Sequence, residues 1–346
     1  MTQGLDPARL TILFVTSMHP SVAFPLRGLV VPRLATALRR LVHRVELVEL
    51  GVGSPGRYLF SRQRVAEAIR LINPDVIHVH FGYSGLAIPH TSVPIVTTFN
   101  GDDLTGTPGA SGRITLKSRL GILASQYVAW RSTRCIAVSK TLRERLWTRR
   151  LRAKTEVIRD AVDPSLFRPL PREAARERLG MTKDEVLIIF PHSAWEPRKR
   201  LWLAEAAASL LRDWIPKARL WVVNGQPADE MPWYYAAADA MIVTSMFEGG
   251  PTATKEALAC GVPVVSVAVG DLDIFKEVPV GSTCVDDDPA ALASALRDTL
   301  ERAPKKRASL LPESLTLDYA ARTAAALYQH AIAESGREVA RPWGWT

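Results

Sequence analysis

Residues 240–269 constrain the fold more tightly than any other part of the chain. Residues 240–244 are an uninterrupted apolar run that reads as a buried strand. A Gly249-Gly250-Pro251 loop follows, and residues 252–260 are short, alanine-rich and helix-compatible. Gly261-Val262-Pro263 then opens a second apolar run over 264–269. The order is strand, tight loop, helix, strand. Such a loop presents free backbone N–H groups at a helix start, which suit a phosphate. Glu248 stands where the loop begins and Glu256 eight residues on. Carboxylates suit sugar hydroxyls, because each accepts two or more hydrogen bonds. Gly249, Gly250, Pro251 and Thr252 are therefore candidates for holding phosphate, and Glu248 and Glu256 for holding a polyol. A nucleotide sugar carries both.

The 346 residues suffice for two domains. A content of 47% apolar and 23% charged residues suits a soluble globular enzyme. No uncharged apolar run reaches the ~18 residues of a membrane span. The polar start, Met1 to Arg9, lacks the pattern of a secretory leader. Cys135, Cys260 and Cys284 are scattered, which fits reduced thiols in a cytoplasmic protein. They show no metal-ligand spacing. Charge is unevenly shared: residues 1–165 hold 23 Lys/Arg against 11 Asp/Glu, and residues 166–346 hold 21 against 24. The basic first half calls for an anionic partner. Its densest run, 140–154, has Lys140, Arg143, Arg145, Arg149, Arg150, Arg152 and Lys154 against Glu144. That run reads either as a solvated helix face or as a contact with an anionic membrane surface, placing the protein peripherally at the inner face. Nucleic acid is not expected, since no zinc ligands, helix-turn-helix pattern or aromatic ribbon accompany the charge.

Along the chain, apolar strands alternate with helices. Strands are expected at 10–17, 45–50, 75–80, 93–99, 135–139, 156–158, 186–190, 218–223, 240–244 and 264–269. Helices are expected at 30–41, 57–72, 114–131, from Lys140, and at 173–179, 201–211, 231–237, 252–260, 290–301 and 317–335. Helix 114–131 reads as amphipathic. Gly28 lies in the first strand–helix loop, where it allows close approach to a phosphate. His78 and His80 share a strand face, and His80 ends the strand where it can line a ligand site. Asp102 and Asp103 read as turn residues or as ligand carboxylates. Arg198-Lys199-Arg200 opens a helix after a buried strand, the arrangement of an anion site. Asp286-Asp287-Asp288 reads as a loop and helix cap rather than a metal site. The alternation predicts α/β domains with doubly wound parallel sheets.

The residues Glu248-Gly249-Gly250-Pro251 and Lys255-Glu256-Ala257-Leu258-Ala259-Cys260-Gly261-Val262-Pro263-Val264-Val265 resemble the signature of glycosyltransferase family 4, with its two carboxylates separated by seven residues. The resemblance is strongest over 222–271, moderate over 157–200 and weaker in the first half. It implies the GT-B fold, two doubly wound Rossmann-like domains facing across a cleft. The boundaries expected are 1–165 for the acceptor side, 166–316 for the donor side, and 317–346 for a helix and tail packing back toward the first domain. It assigns Lys199 to the donor pyrophosphate, with Arg198 standing in where the family carries an Arg at Ala194. Glu248 would hold the donor sugar, Glu256 the ribose, and the loop at Gly225 would border the base. Asn100-Gly101-Asp102-Asp103 resembles the acceptor-side loop, with Asn100 at the family's histidine. Arg159, Asp160 and Ala161 depart from the family's hinge pattern, and Val162-Asp163, Phe167 and Pro169 match it.

The resemblance further implies a retaining hexosyl transfer without a metal or other cofactor, from a nucleotide diphosphate sugar to a saccharide, lipid-linked or small-molecule acceptor, as in polysaccharide or glycoconjugate assembly. Lys199, Arg198 and the loop N–H groups suffice to meet the charge of the leaving diphosphate. A non-catalytic nucleotide-sugar-binding subunit, a nucleotide-sugar 2-epimerase and an adaptor for membrane or nucleic acid stay open beside this reading.

Overall fold

A computed structural model describes residues 9–18, 28–51, 56–107, 113–246, 248, 250–269, 278, 283–303 and 307–336. The chain divides into two compact units, 1–159 with 318–346, and 160–317. No helix among the described residues is long and apolar enough to cross a membrane.

The first unit carries a six-stranded parallel sheet of β1 (Thr11–Thr16), β2 (Arg44–Glu49), β3 (Val76–His80), β4 (Ile95–Phe99), β5 (Arg134–Ala137) and β6 (Thr155–Val157). Their spatial order is β2-β1-β3-β4-β5-β6. β3 and β4 are buried at every position, as strands covered on both faces must be. The helices are α1 (Val30–Arg40), α2 (Arg57–Phe60), α3 (Arg62–Ile72), α4 (Asp102–Thr105), α5 (Leu116–Arg131), α6 (Lys140–Arg143) and α7 (Arg149–Ala153). The expected helix over 57–72 breaks at Ser61 into α2 and α3, and α3 ends at a left-handed Asn73 before Pro74. The basic run 140–154 is two short helices, not one face: Ser139 caps α6 and Thr148 caps α7. α5 is not amphipathic as expected. Val128 and Ala129 are buried on one side, while Leu120, Leu123 and Trp130 are exposed on the other.

The second unit holds β7 (Val186–Phe190), β8 (Ala218–Val222), β9 (Ala240–Val243), β10 (Val264–Val267) and β11 (Thr283–Val285), all parallel, in the order β11-β10-β9-β7-β8. α8 (Arg172–Arg178), α9 (Leu201–Leu211), α10 (Met231–Ala237), α11 (Thr252–Ala259) and α12 (Pro289–Arg302) complete it. Ile188, Ile189, Phe190, Met241, Ile242, Val264 and Val265 are fully buried in one core. Each such side chain contributes about 1.5–3 kcal/mol relative to exposure. β11 was not expected, because three residues beside β10 are too short for a periodic signal. Val162 and Thr316 form a parallel bridge between the two ends of this unit. Asp288 caps α12 through a 2.8 Å bond from the Ala291 N–H.

The last helix, α13 (Leu317–Glu334), belongs to the first unit from Asp318 onward. The Tyr328 hydroxyl lies 2.6 Å from Nδ1 of His78, and Glu334 pairs with Arg134. The expectations for the 270–272 loop and the 342–346 tail fall outside the described residues.

Candidate active site

In a doubly wound sheet, ligands collect at the carboxyl ends of the two strands where the order reverses. In the second unit those strands are β7 and β9, whose outgoing loops are 191–200 and 244–251. The loops are stitched together by backbone. The Met246 N–H donates to the Arg198 carbonyl at 2.8 Å, and the Thr244 hydroxyl donates to the Lys199 carbonyl at 2.7 Å. A tight turn over Pro197–Lys199 and a left-handed Arg200 at φ 52° then start α9. This framework aims the Lys199 ammonium at the Glu248 carboxylate, and the two form an ion pair with Lys199 buried and the Glu248 side chain 11% exposed. Glu248 also accepts from the Ser245 hydroxyl at 2.7 Å and from Arg198 at 3.4 Å. Burial pushes the Glu248 carboxyl up, but Lys199, Ser245 and Arg198 together outweigh it and hold the group below its usual value.

The pair borders a pocket of 240 Å³ whose walls include His192, Lys199, Glu248 and residues 250–254. The last five are the loop and first turn of α11. Their N–H groups lack partners within the helix, so the pocket has an anion-binding wall without side-chain charge. Pro251 contributes no donor. Burial, helped by Lys199, drives His192 down to about 3 and keeps it neutral.

The basic triplet is more balanced than its sequence implies. Arg198 pairs with Glu196 and Glu248, Lys199 with Glu248, and Arg200 with both oxygens of Asp287. Each of these three cations is thus already partnered by a carboxylate. Among the described residues no group of three His, Cys, Asp or Glu is placed to hold a metal ion.

Of the residues singled out for the donor, Lys199, Glu248, Gly250, Pro251 and Thr252 line this pocket, and Arg198 touches Glu248. Glu256 lies on α11 outside that lining and accepts from the Tyr235 hydroxyl at 3.2 Å. Gly225 turns the chain after β8 at φ 74° with open space around it. Gly249 lies outside the described residues. Gly28 belongs to the first unit. Its φ is 64°, and a Cβ there would come within 2.5 Å of the Met18 carbonyl, so local packing alone demands glycine.

The residues singled out for the acceptor lie at the ends of β3 and β4 in the first unit. Asp103 is fully buried, and its carboxylate accepts from the N–H groups of Gly82 and Gly101 at 2.9 Å and of Asn100 at 3.2 Å. Burial raises it to about 6 in spite of those bonds. It shapes the turn that presents Asn100. Asp102 accepts from the Thr107 hydroxyl at 3.4 Å. His80 is buried and lowered to about 3 by burial, with its ring 4.0 Å from that of His78. Among the described residues, neither Nε2 of His80 nor Oδ1 of Asn100 has a hydrogen-bond partner.

Sequence reasoning passed over His192, Ser245 and a buried Asp160–Lys255 contact. The Lys255 ammonium is fully buried and donates to the Asp160 carbonyl at 2.7 Å. The Asp160 carboxylate lies 3.1 Å from where a Cβ on Gly250 would sit. A lysine inside a helix flanked by Ala253, Ala257 and Leu258 was the available signal.

Residues 15–166 match the family model "Glycosyltransferase Family 4", and residues 205–302 match "Glycosyl transferases group 1". A D-inositol 3-phosphate glycosyltransferase of Frankia alni is 31% identical over 284 residues, covering 68% of each chain. The chain belongs to glycosyltransferase family 4. It spans 60 to 68% of the length of the first curated relatives it matches. Among solved structures, sucrose-phosphate synthase from Thermosynechococcus elongatus superposes with a TM-score of 0.72 at 18% identity, covering 94% of this chain and all of that one. Anabaena HepE in complex with UDP-glucose gives 0.59 at 18% identity, covering 94% and 99%. These likenesses establish the GT-B fold of the family: two parallel-sheet α/β domains.

Proposed function

We propose that the chain transfers a hexosyl group from a nucleotide diphosphate sugar to an acceptor hydroxyl, with retention of anomeric configuration and without a metal. The observation that carries this reading is the buried Lys199–Glu248 pair on the wall of a pocket at the sheet's switch point. The donor diphosphate lies against the first turn of α11 and draws the Lys199 ammonium away from Glu248. The freed carboxylate then accepts hydroxyl hydrogens of the donor sugar. Glu256, reoriented from Tyr235, takes the ribose hydroxyls.

The bond that breaks joins the anomeric carbon to the diphosphate oxygen, and its electron pair leaves with the diphosphate. Lys199 and the α11 N–H groups meet the charge that develops there. The acceptor oxygen bonds the same carbon from the same face, and its proton passes to the departing diphosphate. Asn100 orients the acceptor without exchanging a proton, which suits a mechanism where the leaving group is the base.

The name of the Frankia relative couples that protein to an inositol phosphate, and the excess of basic residues in 1–165 suits a phosphate-bearing acceptor. The UDP-glucose bound to the Anabaena protein supports a nucleotide sugar as donor. The test is incubation with a panel of nucleotide sugars and acceptors, in chelator, with released nucleoside diphosphate as the readout. Turnover that requires added divalent metal, or donor binding with no release for any acceptor, contradicts the proposal.

A further inference from the structure

Leu116, Leu120, Leu123, Tyr127 and Trp130 are spaced 4, 3, 4 and 3 residues apart on α5, so at 3.6 residues per turn they form one continuous stripe. Each is between 49 and 74% exposed. Opposite them, Ser125, Val128 and Ala129 are buried against the unit, and Gln126 is buried at the edge of the stripe. Gly121 adds a close fit there, since a Cβ on it would meet the Tyr83 hydroxyl. The helix is thus fixed by one face and shows an unpartnered apolar face to solvent. Isolated exposed apolar residues need no explanation, but a contiguous stripe of five large ones marks an interaction surface.

A second element is tied to the stripe. The Gln126 amide donates to the Arg145 carbonyl at 3.1 Å, and its oxygen accepts from the Trp147 N–H at 3.1 Å. This clamp holds the 145–147 turn against α5. Trp147 in that turn is exposed, as are Arg149 and Arg150 just after it in the chain. Lys117 and Arg119 flank the stripe on the helix itself.

Charge selects the occupant. From Leu104 to Arg143 the chain contains no Asp or Glu and seven Lys/Arg. A second copy docked through this stripe would oppose cation to cation across the seam. An anionic bilayer meets both features: apolar side chains sink to the acyl boundary, Tyr and Trp sit at headgroup depth, and the cations stay with the phosphates.

We infer that α5, with Trp147 and the adjoining basic turn, is a preformed face that inserts into the interface of an anionic membrane. The stripe inserts and Arg149 and Arg150 attract. This assigns the membrane contact to the apolar face of α5 rather than to residues 140–154 alone, and it does not depend on the transferase reading.

The test is co-sedimentation of the full chain with vesicles of phosphatidylcholine alone or mixed with phosphatidylglycerol. Leu120→Asn/Leu123→Asn and Arg149→Gln/Arg150→Gln are compared with the parent, and circular dichroism checks that each variant is folded. These side chains are exposed, so the fold does not need them. The expected result is binding to the mixed vesicles only, loss of at least tenfold in the leucine variant, and about fivefold weakening for each arginine neutralised. Failure of the parent to bind mixed vesicles overturns the inference. So does undiminished binding by the leucine variant, which would make the contact purely electrostatic. A parent dimer in light scattering that Leu120→Asn/Leu123→Asn dissociates, without vesicle binding, would assign the face to a second copy instead.

Discussion

Lys199 and Glu248, 49 residues apart in sequence, are joined as a buried ion pair between the loops that leave β7 and β9. Neither loop has the pair alone. The Thr244 and Met246 bonds to the 198–199 backbone set the spacing, and the pair sits on the pocket wall beside the start of α11. The site is therefore poised for exchange: whatever takes the Lys199 charge releases the Glu248 carboxylate.

Removing the cation alone should be costly. Lys199→Met leaves Glu248 buried with Ser245 and a longer contact to Arg198. Breaking one side of a buried pair costs about 3–5 kcal/mol, and the two remaining partners place this case at the low end. Urea unfolding should show that loss, and a saturating nucleoside diphosphate should not restore it.

Acidification should destabilise the first unit. His80 has its value lowered from 6.5 to about 3, and His78 lies well below 6.5, both chiefly by burial. Between those limits the unfolded chain binds protons that the folded chain refuses, so stability falls as pH falls from 6.5 toward 3. For His80 the slope is about 1.4 kcal/mol per pH unit. Asp103, raised to about 6, takes up its proton in the folded state first and offsets one histidine below that pH. The net expectation is a fall in stability as pH falls from 6 toward 4, measurable by denaturant titration.

Tyr328→Phe tests how α13 is anchored. The variant keeps the ring and removes the hydroxyl that lies 2.6 Å from Nδ1 of His78. A buried ring nitrogen left without that partner costs about 1–3 kcal/mol. Hydrogen exchange along 318–334 should rise before that of β3 and β4.

Much of this was readable in the chain. The βαβ unit at 240–267 was legible because its strands are short unbroken apolar runs and its turns carry Gly and Pro. Helices 201–211 and 231–237 came out with their observed bounds for the same reason. α5 was misread because both of its faces are apolar: the exposed Leu120, Leu123 and Trp130 look like core residues in a sequence. Lys199 and Glu248 were each visible as chemistry, but their neutralisation of one another was not, since it depends on two loops meeting. The Asp160–Lys255 contact was hidden likewise, by a separation of 95 residues.

Lys255→Met probes that hidden contact. It keeps an unbranched side chain one atom shorter and removes the donor to the Asp160 carbonyl. A loss of about 1–3 kcal/mol in stability is expected. Because the Asp160 carboxylate packs beside Gly250, KM for the donor should rise with kcat little changed.

The proposed transfer depends on the exchange at Glu248, which the turnover of Glu248→Gln in chelator measures. The amide keeps the shape and can no longer bear the charge that pairs with Lys199 or accept as a carboxylate does. The prediction is that the parent chain releases nucleoside diphosphate and forms a product with the donor's anomeric configuration, while Glu248→Gln, still folded, turns over about 10²–10³-fold more slowly. Equal turnover by the two proteins, or a product of inverted configuration from the parent, would contradict it.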